Sequence, residues 1–263
     1  MDYSVFIVNL KKSIRRRSYM QKLCLNFGIS PVFINAVDGN ELSDTYINKI
    51  YNPEKSIKCI GRELAKSEIG CALSHKKIYE IIIKKNIKIA LIFEDDIIFN
   101  YDLFNIINKL HILPSNWELI LLGHHSSESR NKQSLISLWN RKKIDTKYYL
   151  VRFCELVSGT YGYLINIKGA KKLNQYLKEI IKPIDHYTGD SNIINLYGIN
   201  PPLVNINEYI SKQENFMNDR TYLQMKFYKV KTKKKKNIKK FILNIFSPIY
   251  IFYKKIKPLK KYV

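Results

Sequence analysis

The amino-acid sequence predicts an α/β fold in which a mostly parallel central sheet is flanked by helices. Short runs of apolar, β-branched and aromatic residues alternate with amphipathic helical patterns along the first 100 residues, and similar runs recur as far as residue 166. The chain of 263 residues is 46% hydrophobic and 25% charged, which is typical of a globular protein with a sizeable core. These values exclude collagen, a coiled coil, a disulfide-rich miniprotein and a polytopic membrane protein.

The predicted elements alternate between strands and helices. In order, they are a strand over residues 3–8, a helix from about Ser13 to Gly28, a strand over 31–35, an irregular stretch over 43–62, a helix from about Ser67, strands over 88–93, 119–122 and 161–166, and a helix over 168–181. Glycine at 28 and Pro183 suit helix ends, because glycine adopts the left-handed conformation there and proline cannot continue a helix. Residues 124–148 are polar and suggest a loop over an active site, and a helix is expected near Ser191.

The positive charge of the chain is concentrated in its C-terminal segment. Lys and Arg number 45 against 22 Asp and Glu, so the formal net charge is +23. Residues 226–263 contain 14 Lys and no acid, which leaves +9 for residues 1–225. The sequence therefore predicts a main domain over 1–225 and a Lys-rich amphipathic tail over 226–263.

The tail alternates Lys clusters with aliphatic and aromatic residues. This pattern suits an anionic membrane surface, where each Lys contributes about 1 kcal/mol, and the alternatives are a disordered basic tail or a helix packed on the main domain. No run reaches the roughly 18 apolar residues that span a bilayer. The chain starts without a secretory signal pattern, and its four Cys lack CxxC spacing. We therefore expect a cytoplasmic protein that is peripheral on the inner face of the cytoplasmic membrane.

An acidic triplet, Glu94-Asp95-Asp96, follows the strand over residues 88–93. In open α/β sheets, ligands bind beyond the carboxyl ends of the strands. Carboxylates gathered there repel one another unless a positive charge lies between them, and Mg²⁺ or Mn²⁺ would supply it, because both prefer oxygen ligands. An acidic turn or a helix N-cap is the alternative interpretation, and nucleases carry similar triplets.

The helix near Ser67 contains a second candidate segment, Glu68-Ile69-Gly70-Cys71-Ala72-Leu73-Ser74-His75. Glu68 and His75 lie two helical turns apart and share a face. Gly70 costs about 1 kcal/mol relative to Ala, and such a glycine is tolerated where another segment approaches closely. For His75 alone, a hydrogen-bonded core histidine is the more common role. Cys71 has no base at a spacing that would indicate a nucleophile.

Three further groups have both a functional and a structural interpretation. The run Arg15-Arg16-Arg17 would bind a phosphate or form a solvated basic helix face. The segment Gly159-Thr160-Tyr161-Gly162-Tyr163 indicates close approach of backbone or ligand. Asp185 and Asp190 would act as a general base or reach a metal, or they would cap a helix near Ser191.

Taken in order, these segments resemble glycosyltransferase family 25, the bacterial lipooligosaccharide galactosyltransferases and their relatives. The resemblance covers about residues 1–205. The matching pieces are Asn9-Leu10, the Arg15-Arg16-Arg17 run, Phe33-Ile34-Asn35-Ala36-Val37-Asp38-Gly39, the segment from Glu68 to His75, Phe93-Glu94-Asp95-Asp96, the segment from Gly159 to Tyr163, and Pro183-Ile184-Asp185. Residues 124–148 and the stretch after Pro202 match no family segment, and acceptor choice is expected to lie there.

This resemblance implies a GT-A type fold and the transfer, with inversion, of a sugar from a UDP-sugar donor, most often galactose from UDP-galactose, in β linkage onto a lipooligosaccharide, lipopolysaccharide or related surface glycan. By analogy, Asp96 would bind Mn²⁺ or Mg²⁺ with Glu94, while Glu94 or Asp95 would bind the ribose or a metal-bound water. An inverting displacement also needs a base for the acceptor hydroxyl. We expect Asp185 in that role, with Asp190 as the second candidate.

Within the matched segments, ten residues are candidates for binding the nucleotide sugar. They are Asn9, Arg15, Arg17, Asp38, Ser74, His75, Glu94, Asp95, Gly159 and Thr160. The expected partners are the nucleotide-sugar donor, an oligosaccharide or lipid-linked glycan acceptor and an anionic membrane, with no nucleic acid. Two other classes of function remain open: a metal-dependent nucleic-acid-binding protein or nuclease, and a catalytically inactive sugar-nucleotide-binding protein.

Overall fold

The computed structural model describes residues 3–212, which fold around a central sheet of eight strands. The strands of the described chain are β1 (Ser4–Asn9), β2 (Val32–Asn35), β3 (Ile89–Glu94), β4 (Ile97–Phe99), β5 (Leu119–Leu121), β6 (His125–Ser126), β7 (Lys142–Lys143), β8 (Tyr149–Val151), β9 (Val157–Ser158), β10 (Gly162–Asn166), β11 (Leu196–Asn200) and β12 (Val204–Ile206). The helices are α1 (Ile14–Leu25), α2 (Asp44–Ile50), α3 (Pro53–Ile60), α4 (Lys66–Lys84), α5 (Asp102–Asn108), α6 (Ile167–Tyr176), α7 (Asp185–Thr188) and α8 (Glu208–Lys212).

The central sheet has the order β2-β1-β3-β10-β5-β11-β8-β7. β1 pairs in parallel with β2 and β3, and β5 pairs in parallel with β11. β10 is antiparallel to both β3 and β5, and β8 is antiparallel to both β11 and β7. Six of the eight strands therefore run in one direction, and β8 and β10 run in the other. The predicted α/β class with a mostly parallel sheet is confirmed.

Both faces of this sheet are buried. Along β3, Ala90 and Ile92 enter one apolar core, while Leu91 and Phe93 enter the other. The first core also receives side chains of α4 and α6, and the second receives side chains of α1 and α5. Strands buried on both faces have nearly continuous apolar sequences, which is why residues 88–93 are recognisable as a strand from composition alone.

The prediction of an irregular stretch over residues 43–62 is wrong, because α2 and α3 lie there. The side chain of Ser43 accepts a hydrogen bond from the N–H of Tyr46 and caps α2. Asn52 caps α3 in the same way, ahead of Pro53 in the first turn, and Gly61 ends α3 at a φ of 77°. These local signals outweigh the polar composition of the stretch.

Three other elements differ from the prediction. α4 begins one residue before Ser67, so Ser67 lies inside its first turn rather than capping it. α6 ends at Tyr176 rather than at residue 181, and beyond a short turn the N–H of Ile180 donates to the carbonyl of Ile50 at 2.7 Å. A turn replaces the helix expected near Ser191 and leads into β11.

The polar stretch over residues 124–148 contains β6 and β7. Among the described residues, no helix is both long and apolar enough to cross a membrane. The predicted tail over 226–263 lies outside the described residues.

Candidate active site

Three adjoining cavities lie near the ends of β1 and β3, and several of the candidate site residues line them. The central cavity, about 320 Å³, is lined by residues that include Glu94 and Asp185. The β1 cavity, about 150 Å³, shares Glu94 with it and extends to Asp38. The β12 cavity, about 450 Å³, shares Tyr161 with the central cavity and extends to Asn205 of β12. This is the edge of an open α/β sheet at which ligands are expected to bind.

The acidic triplet spans the end of β3 and the turn into β4. The carboxylate of Glu94 is about one third exposed and lines the central and β1 cavities. The backbone N–H of Glu94 donates to the carbonyl of Tyr161 at 3.0 Å, which extends the pairing with β10. Asp95 is buried, and its Oδ2 accepts a hydrogen bond of 2.7 Å from Nδ2 of Asn9. Glu94 therefore lines both cavities, and Asp95, which Asn9 holds at the end of β1, lines the β1 cavity.

The guanidinium of Arg16 lies between the carboxylates of Asp95 and Asp96. Its Nη1 is 3.1 Å from Oδ1 of Asp95 and 3.3 Å from Oδ2 of Asp96, and its Nη2 donates to the carbonyl of Ser211 at 3.0 Å. Burial raises the pKa of Asp95 to about 6, although Arg16 opposes this increase. Burial, followed by the charge of Glu94, raises the pKa of Asp96. Arg16 thus supplies the positive charge that was expected near these carboxylates, and it lies between Asp95 and Asp96.

The triplet also has the donor chemistry that a divalent cation requires. Mg²⁺ and Mn²⁺ prefer carboxylate oxygens, and the two predicted ligands are Glu94 and Asp96. These side chains are close enough for the charge of Glu94 to raise the pKa of Asp96. A cation between them would offset this repulsion and would share Asp96 with Arg16. The carboxylate oxygens are donors of the kind that Mg²⁺ and Mn²⁺ prefer, but among the described residues Asp96, unlike Glu94, is not part of the lining of the three cavities.

Asp185, the first candidate base, begins α7 and lines the central cavity. Its Oδ1 accepts hydrogen bonds from the backbone N–H groups of Gly159, at 3.3 Å, and Thr160, at 3.0 Å, and from the hydroxyl of Thr160. An added Cβ at Gly159 would lie 2.1 Å from the carbonyl oxygen of Gly123, so the backbone approaches closely here, as predicted. The segment after β9 thereby fixes the orientation of the Asp185 carboxylate.

Asp190, the second candidate base, has a different environment. Its Oδ1 accepts hydrogen bonds from the N–H and the Nδ2 of Asn192, at 2.9 and 3.0 Å, and its Oδ2 lies 3.5 Å from Nζ of Lys182. In the described part of the chain, Asp190 does not belong to the lining of the three cavities. Its contacts stabilise the turn that precedes β11.

Helix α4 brings two buried polar side chains to this edge of the sheet. The carboxylate of Glu68 forms two contacts with the guanidinium of Arg62, at 2.6 and 2.7 Å, and accepts a hydrogen bond from the N–H of Ala65 that caps the helix. The hydroxyl of Ser74 accepts a hydrogen bond of 2.8 Å from the N–H of Val37. Glu68 and Ser74 therefore hold the helix against the loops around the cavities.

His75 lies fully buried on α4, next to the acidic triplet. Its Nδ1 is 2.8 Å from the hydroxyl of Tyr163, and its Nε2 is 3.8 Å from Oε1 of Glu94. The hydroxyl of Tyr163 in turn lies 2.9 Å from that of Tyr79. His75 is thus hydrogen-bonded within the core through one ring nitrogen and faces the site with the other.

The remaining predicted binding residues reach the cavities unequally. Asp38 lines the β1 cavity. Arg15 is exposed, and the guanidinium of Arg17 lies 4.4 Å from the ring centre of Phe33. Arg16, which the sequence does not distinguish from its neighbours, is the member of the run that contacts the acids. Successive helical residues point about 100° apart, so neighbouring side chains face in different directions.

Three residues that the sequence does not propose as catalytic or binding groups, Tyr161, His125 and Arg130, also line the cavities. Tyr161 lies between the central and β12 cavities, and its ring stacks with that of His125 at a centroid distance of 6.2 Å. Burial, followed by the charge of Asp185, raises the pKa of Tyr161. Arg130 also lines both cavities. His125 and Arg130 belong to the polar stretch expected to cover the site, and that position is the signal that could have identified them.

Comparison with known proteins identifies related sequences. The sequence model of glycosyltransferase family 25 (LPS biosynthesis protein) matches residues 2–188. Procollagen galactosyltransferase 1-A of Xenopus laevis is 30% identical over 177 residues, which cover 64% of this chain and 27% of that protein. Procollagen galactosyltransferase 2 of Homo sapiens is 26% identical over 194 residues, 70% of this chain and 29% of that protein. A glycosyltransferase 25 family member of Anopheles gambiae is 30% identical over 195 residues, 70% of this chain and 30% of that protein.

The chain spans less than a third of the length of these relatives. The family match covers β1 to α7 and therefore includes the acidic triplet, the buried polar residues of α4 and Asp185. The family that the sequence motifs resemble is the one that the comparison identifies, and this chain belongs to glycosyltransferase family 25.

Proposed function

We propose that this protein is a metal-dependent, inverting glycosyltransferase with a GT-A type fold, and that it transfers galactose from UDP-galactose in β linkage to a lipooligosaccharide, lipopolysaccharide or related surface glycan. The observation that carries the proposal is that Glu94, at the carboxyl end of β3, and Asp185, at the start of α7, line the same cavity. Family membership and the galactosyltransferase names of the relatives support the reaction class and the donor sugar.

The nucleotide of the donor would occupy the β1 cavity. This cavity lies between the end of β1, the loop that contains Asp38 and the acidic triplet. Ser74 lines this cavity and accepts a hydrogen bond from the N–H of Val37, and Asn9 shapes the cavity indirectly by donating a hydrogen bond to Asp95. Ligand binding at the carboxyl ends of neighbouring parallel strands is the general arrangement in open α/β sheets.

Glu94 and Asp96 are the residues that would hold Mn²⁺ or Mg²⁺. When bound, the cation would supply positive charge that stabilises the diphosphate leaving group. Arg16 limits the repulsion within the triplet by neutralising Asp95 and part of the charge of Asp96. Glu94 keeps its carboxylate directed toward the cavities, where it is partly exposed.

Asp185 would act as the general base that removes the proton of the acceptor hydroxyl. Its carboxylate is oriented by Gly159 and Thr160, and it borders the central cavity. A base must be positioned within hydrogen-bond reach of the proton that it abstracts, so this fixed orientation favours Asp185 over Asp190.

The acceptor glycan would enter through the β12 cavity. Tyr161 and His125 form a stacked aromatic pair at its border with the central cavity, and Arg130 and Lys212 contribute positive charge. A surface of aromatic faces and cations suits an anionic sugar chain. The tail over 226–263 would hold the protein on the inner face of the cytoplasmic membrane, close to a lipid-linked acceptor.

The test is calorimetric binding of UDP to the full-length protein with and without Mn²⁺, followed by UDP release from UDP-galactose, UDP-glucose, UDP-N-acetylglucosamine and UDP-N-acetylgalactosamine. We expect Mn²⁺-dependent UDP binding that EDTA abolishes, and slow hydrolysis of UDP-galactose in preference to the other donors. Asp96→Ala and Glu94→Gln are expected to weaken UDP binding only when Mn²⁺ is present.

Each other outcome overturns a separate part of the proposal. Failure of UDP to bind with either Mn²⁺ or Mg²⁺ would refute the transferase assignment. Binding that EDTA does not affect would refute metal dependence, and hydrolysis of a different donor would refute galactose. Binding of every donor without turnover, even with a panel of core oligosaccharide acceptors, would favour an inactive sugar-nucleotide-binding protein.

A further inference from the structure

Three side chains of different chemistry meet where the central and β1 cavities adjoin. Cys71 and His75 lie one turn apart on α4, and Glu94 ends the neighbouring strand β3. The Sγ of Cys71, a ring nitrogen of His75 and a carboxylate oxygen of Glu94 all lie within 4.8 Å of one another. Cys71 and Glu94 line both cavities, so a ligand in either cavity can reach this cluster.

The strongest indication of a ligand comes from His75. The residue is fully buried, and among the described residues its Nε2 has no hydrogen-bond partner. A buried polar atom without a partner destabilises the fold, because it has lost its hydrogen bonds to water and gained none in return. This nitrogen points toward Oε1 of Glu94 at 3.8 Å, which is too long for a hydrogen bond but leaves room for an ion between the two atoms.

The other ring nitrogen of His75 already has the contact that a metal-binding histidine requires. Nδ1 lies 2.8 Å from the hydroxyl oxygen of Tyr163, which can accept a hydrogen bond from Nδ1–H, and the hydroxyl of Tyr79 lies 2.9 Å from that of Tyr163. A histidine that donates one N–H to a fixed acceptor presents its second nitrogen as a ligand in a defined orientation. The three aromatic residues therefore position Nε2 for metal binding.

We propose that Cys71, His75 and Glu94 form a Zn²⁺ site whose fourth coordination position faces the cavities. One thiolate, one imidazole and one carboxylate are a donor set typical of Zn²⁺, whereas Mg²⁺ and Mn²⁺ select oxygen ligands. As the Zn–S bond forms, the Cys71 thiol releases its proton to solvent, with no change of oxidation state. This site differs from the Mn²⁺ or Mg²⁺ site proposed above in two of its ligands and in its metal, and it stands whether or not the transferase proposal holds.

The Zn²⁺ site and the Mn²⁺ or Mg²⁺ site share Glu94, so Zn²⁺ binding can regulate the binding of the other cation. When the Glu94 carboxylate binds Zn²⁺ next to α4, it is no longer available to the Mn²⁺ or Mg²⁺ that it would bind together with Asp96. Zn²⁺ therefore competes with Mn²⁺-dependent nucleotide binding, and UDP with Mn²⁺ is expected to weaken Zn²⁺ binding by the same factor, because the coupling is reciprocal.

The experiment uses Co²⁺ as a spectroscopic substitute for Zn²⁺ in the full-length, reduced protein. We expect one equivalent of Co²⁺ to give a thiolate-to-cobalt charge-transfer band in the near ultraviolet, and one equivalent of Zn²⁺ to abolish it. Cys71→Ser is nearly isosteric, so it should fold like the wild type, as circular dichroism will check. It is expected to lose the band and to bind Zn²⁺ at least about tenfold more weakly.

Cys59→Ser is the matched control, because Cys59 is an exposed thiol on α3. It is expected to retain both the band and the Zn²⁺ affinity. Glu94→Gln should keep the band, since the thiolate remains, but should lower the affinity for Zn²⁺. Absence of the band in the wild type, or a band of equal intensity in Cys71→Ser, would refute the site.

Discussion

At the residue scale, the contacts of one arginine explain how three adjacent acids can share one end of a sheet. Arg16 lies beside both Asp95 and Asp96, while Glu94, whose side chain is about one third exposed, lines both the central and the β1 cavities. Asp95, Asp96 and Arg16 are largely buried, and removing one partner of such a pair leaves an uncompensated charge, which typically costs about 3–5 kcal/mol. Arg16 is therefore part of the fold as well as of the candidate site.

Replacement of Asp185 by Asn tests the assignment of the base. We expect Asp185→Asn to lower kcat by about 10²-fold or more, because a positioned base typically contributes 10²–10⁴-fold. Calorimetric affinity for UDP should stay within a few-fold of the wild-type value, since the amide keeps the hydrogen-bonding shape of the carboxyl group.

Asp190→Asn is the matched control for that experiment. Asp190 holds a turn through Asn192 and Lys182, so its replacement should change kcat by no more than a few-fold. A loss of turnover in Asp190→Asn that equals or exceeds the loss in Asp185→Asn would reverse the assignment.

The lowered pKa of the buried His124 makes the stability of the protein depend on pH. Burial lowers the pKa of His124 from 6.5 to about 4. Its Nε2–H donates to the carbonyl of Ile199 at 3.0 Å, and its Nδ1 lies 3.0 Å from the hydroxyl of Ser134. Between pH 6.5 and 4, the unfolded chain binds a proton at this residue that the folded chain does not bind. The free energy of unfolding therefore decreases as the pH falls through this window, and the contribution of His124 to this decrease is about 3 kcal/mol.

Urea unfolding at pH 7, 6, 5 and 4 measures this effect. The difference in free energy of unfolding between the wild type and His124→Asn should shrink by about 3 kcal/mol as the pH falls, since the variant lacks the titrating group. The exposed His111 provides a matched control through His111→Asn. A difference that is independent of pH would contradict the prediction.

At the scale of elements, the contact between α4 and the loop after β2 determines the shape of the β1 cavity. Gly70 lies at this contact, and an added Cβ there would come within 2.6 Å of the N of Gly39 and the carbonyl oxygen of Val37. Both are backbone atoms that cannot rotate away. The sequence analysis expected a close approach at Gly70, and the structure identifies the loop of Val37 and Gly39 as the approaching segment.

Gly70→Ala tests whether this contact or helix propensity dominates. Alanine in place of glycine within a helix is favourable by about 1 kcal/mol, whereas overpacking of a tight contact typically costs 1–3 kcal/mol. Because the clash is with backbone, we expect a net loss of 1–2 kcal/mol in the free energy of unfolding, measured in urea, and weaker UDP binding. A variant more stable than the wild type would show that the loop moves without cost.

At the scale of the whole molecule, the concentration of Lys in residues 226–263 predicts that the protein binds anionic membranes through this tail. We expect full-length protein to sediment with vesicles that contain phosphatidylglycerol but not with phosphatidylcholine vesicles, and to dissociate at high salt. Replacing Lys233, Lys234, Lys235 and Lys236 by Gln should weaken binding at least about tenfold, since each Lys contributes about 1 kcal/mol.

A chain of residues 1–225 is the comparison for the membrane experiment, because it keeps the main domain and a charge of only +9. It is expected to stay in the supernatant. If it sediments as strongly as the full-length protein, the tail is not the membrane-binding segment.

The sequence alone was sufficient to predict the α/β class, strands within a residue or two of β1, β2, β3, β5 and β10, the acidic triplet at the end of β3 and the family. Each depends on a local pattern: an apolar run, a turn residue or a short motif in a fixed order. Polar composition over residues 43–62 predicts irregular structure, but the capping side chains of Ser43 and Asn52 begin two helices there, so composition alone does not determine this part of the fold.

Only the tertiary structure decided which residues of each local group reach the site. Arg15, Arg16 and Arg17 are equivalent in the sequence, as are Asp185 and Asp190, yet Arg16 contacts the triplet and Asp185 lines the central cavity. The insertion of β10 between β3 and β5, in the opposite direction, brings the segment around Tyr161 beside Glu94. These contacts join residues far apart in the chain, and local periodicity carries no information on long-range pairing, so they are settled only when the sheet assembles.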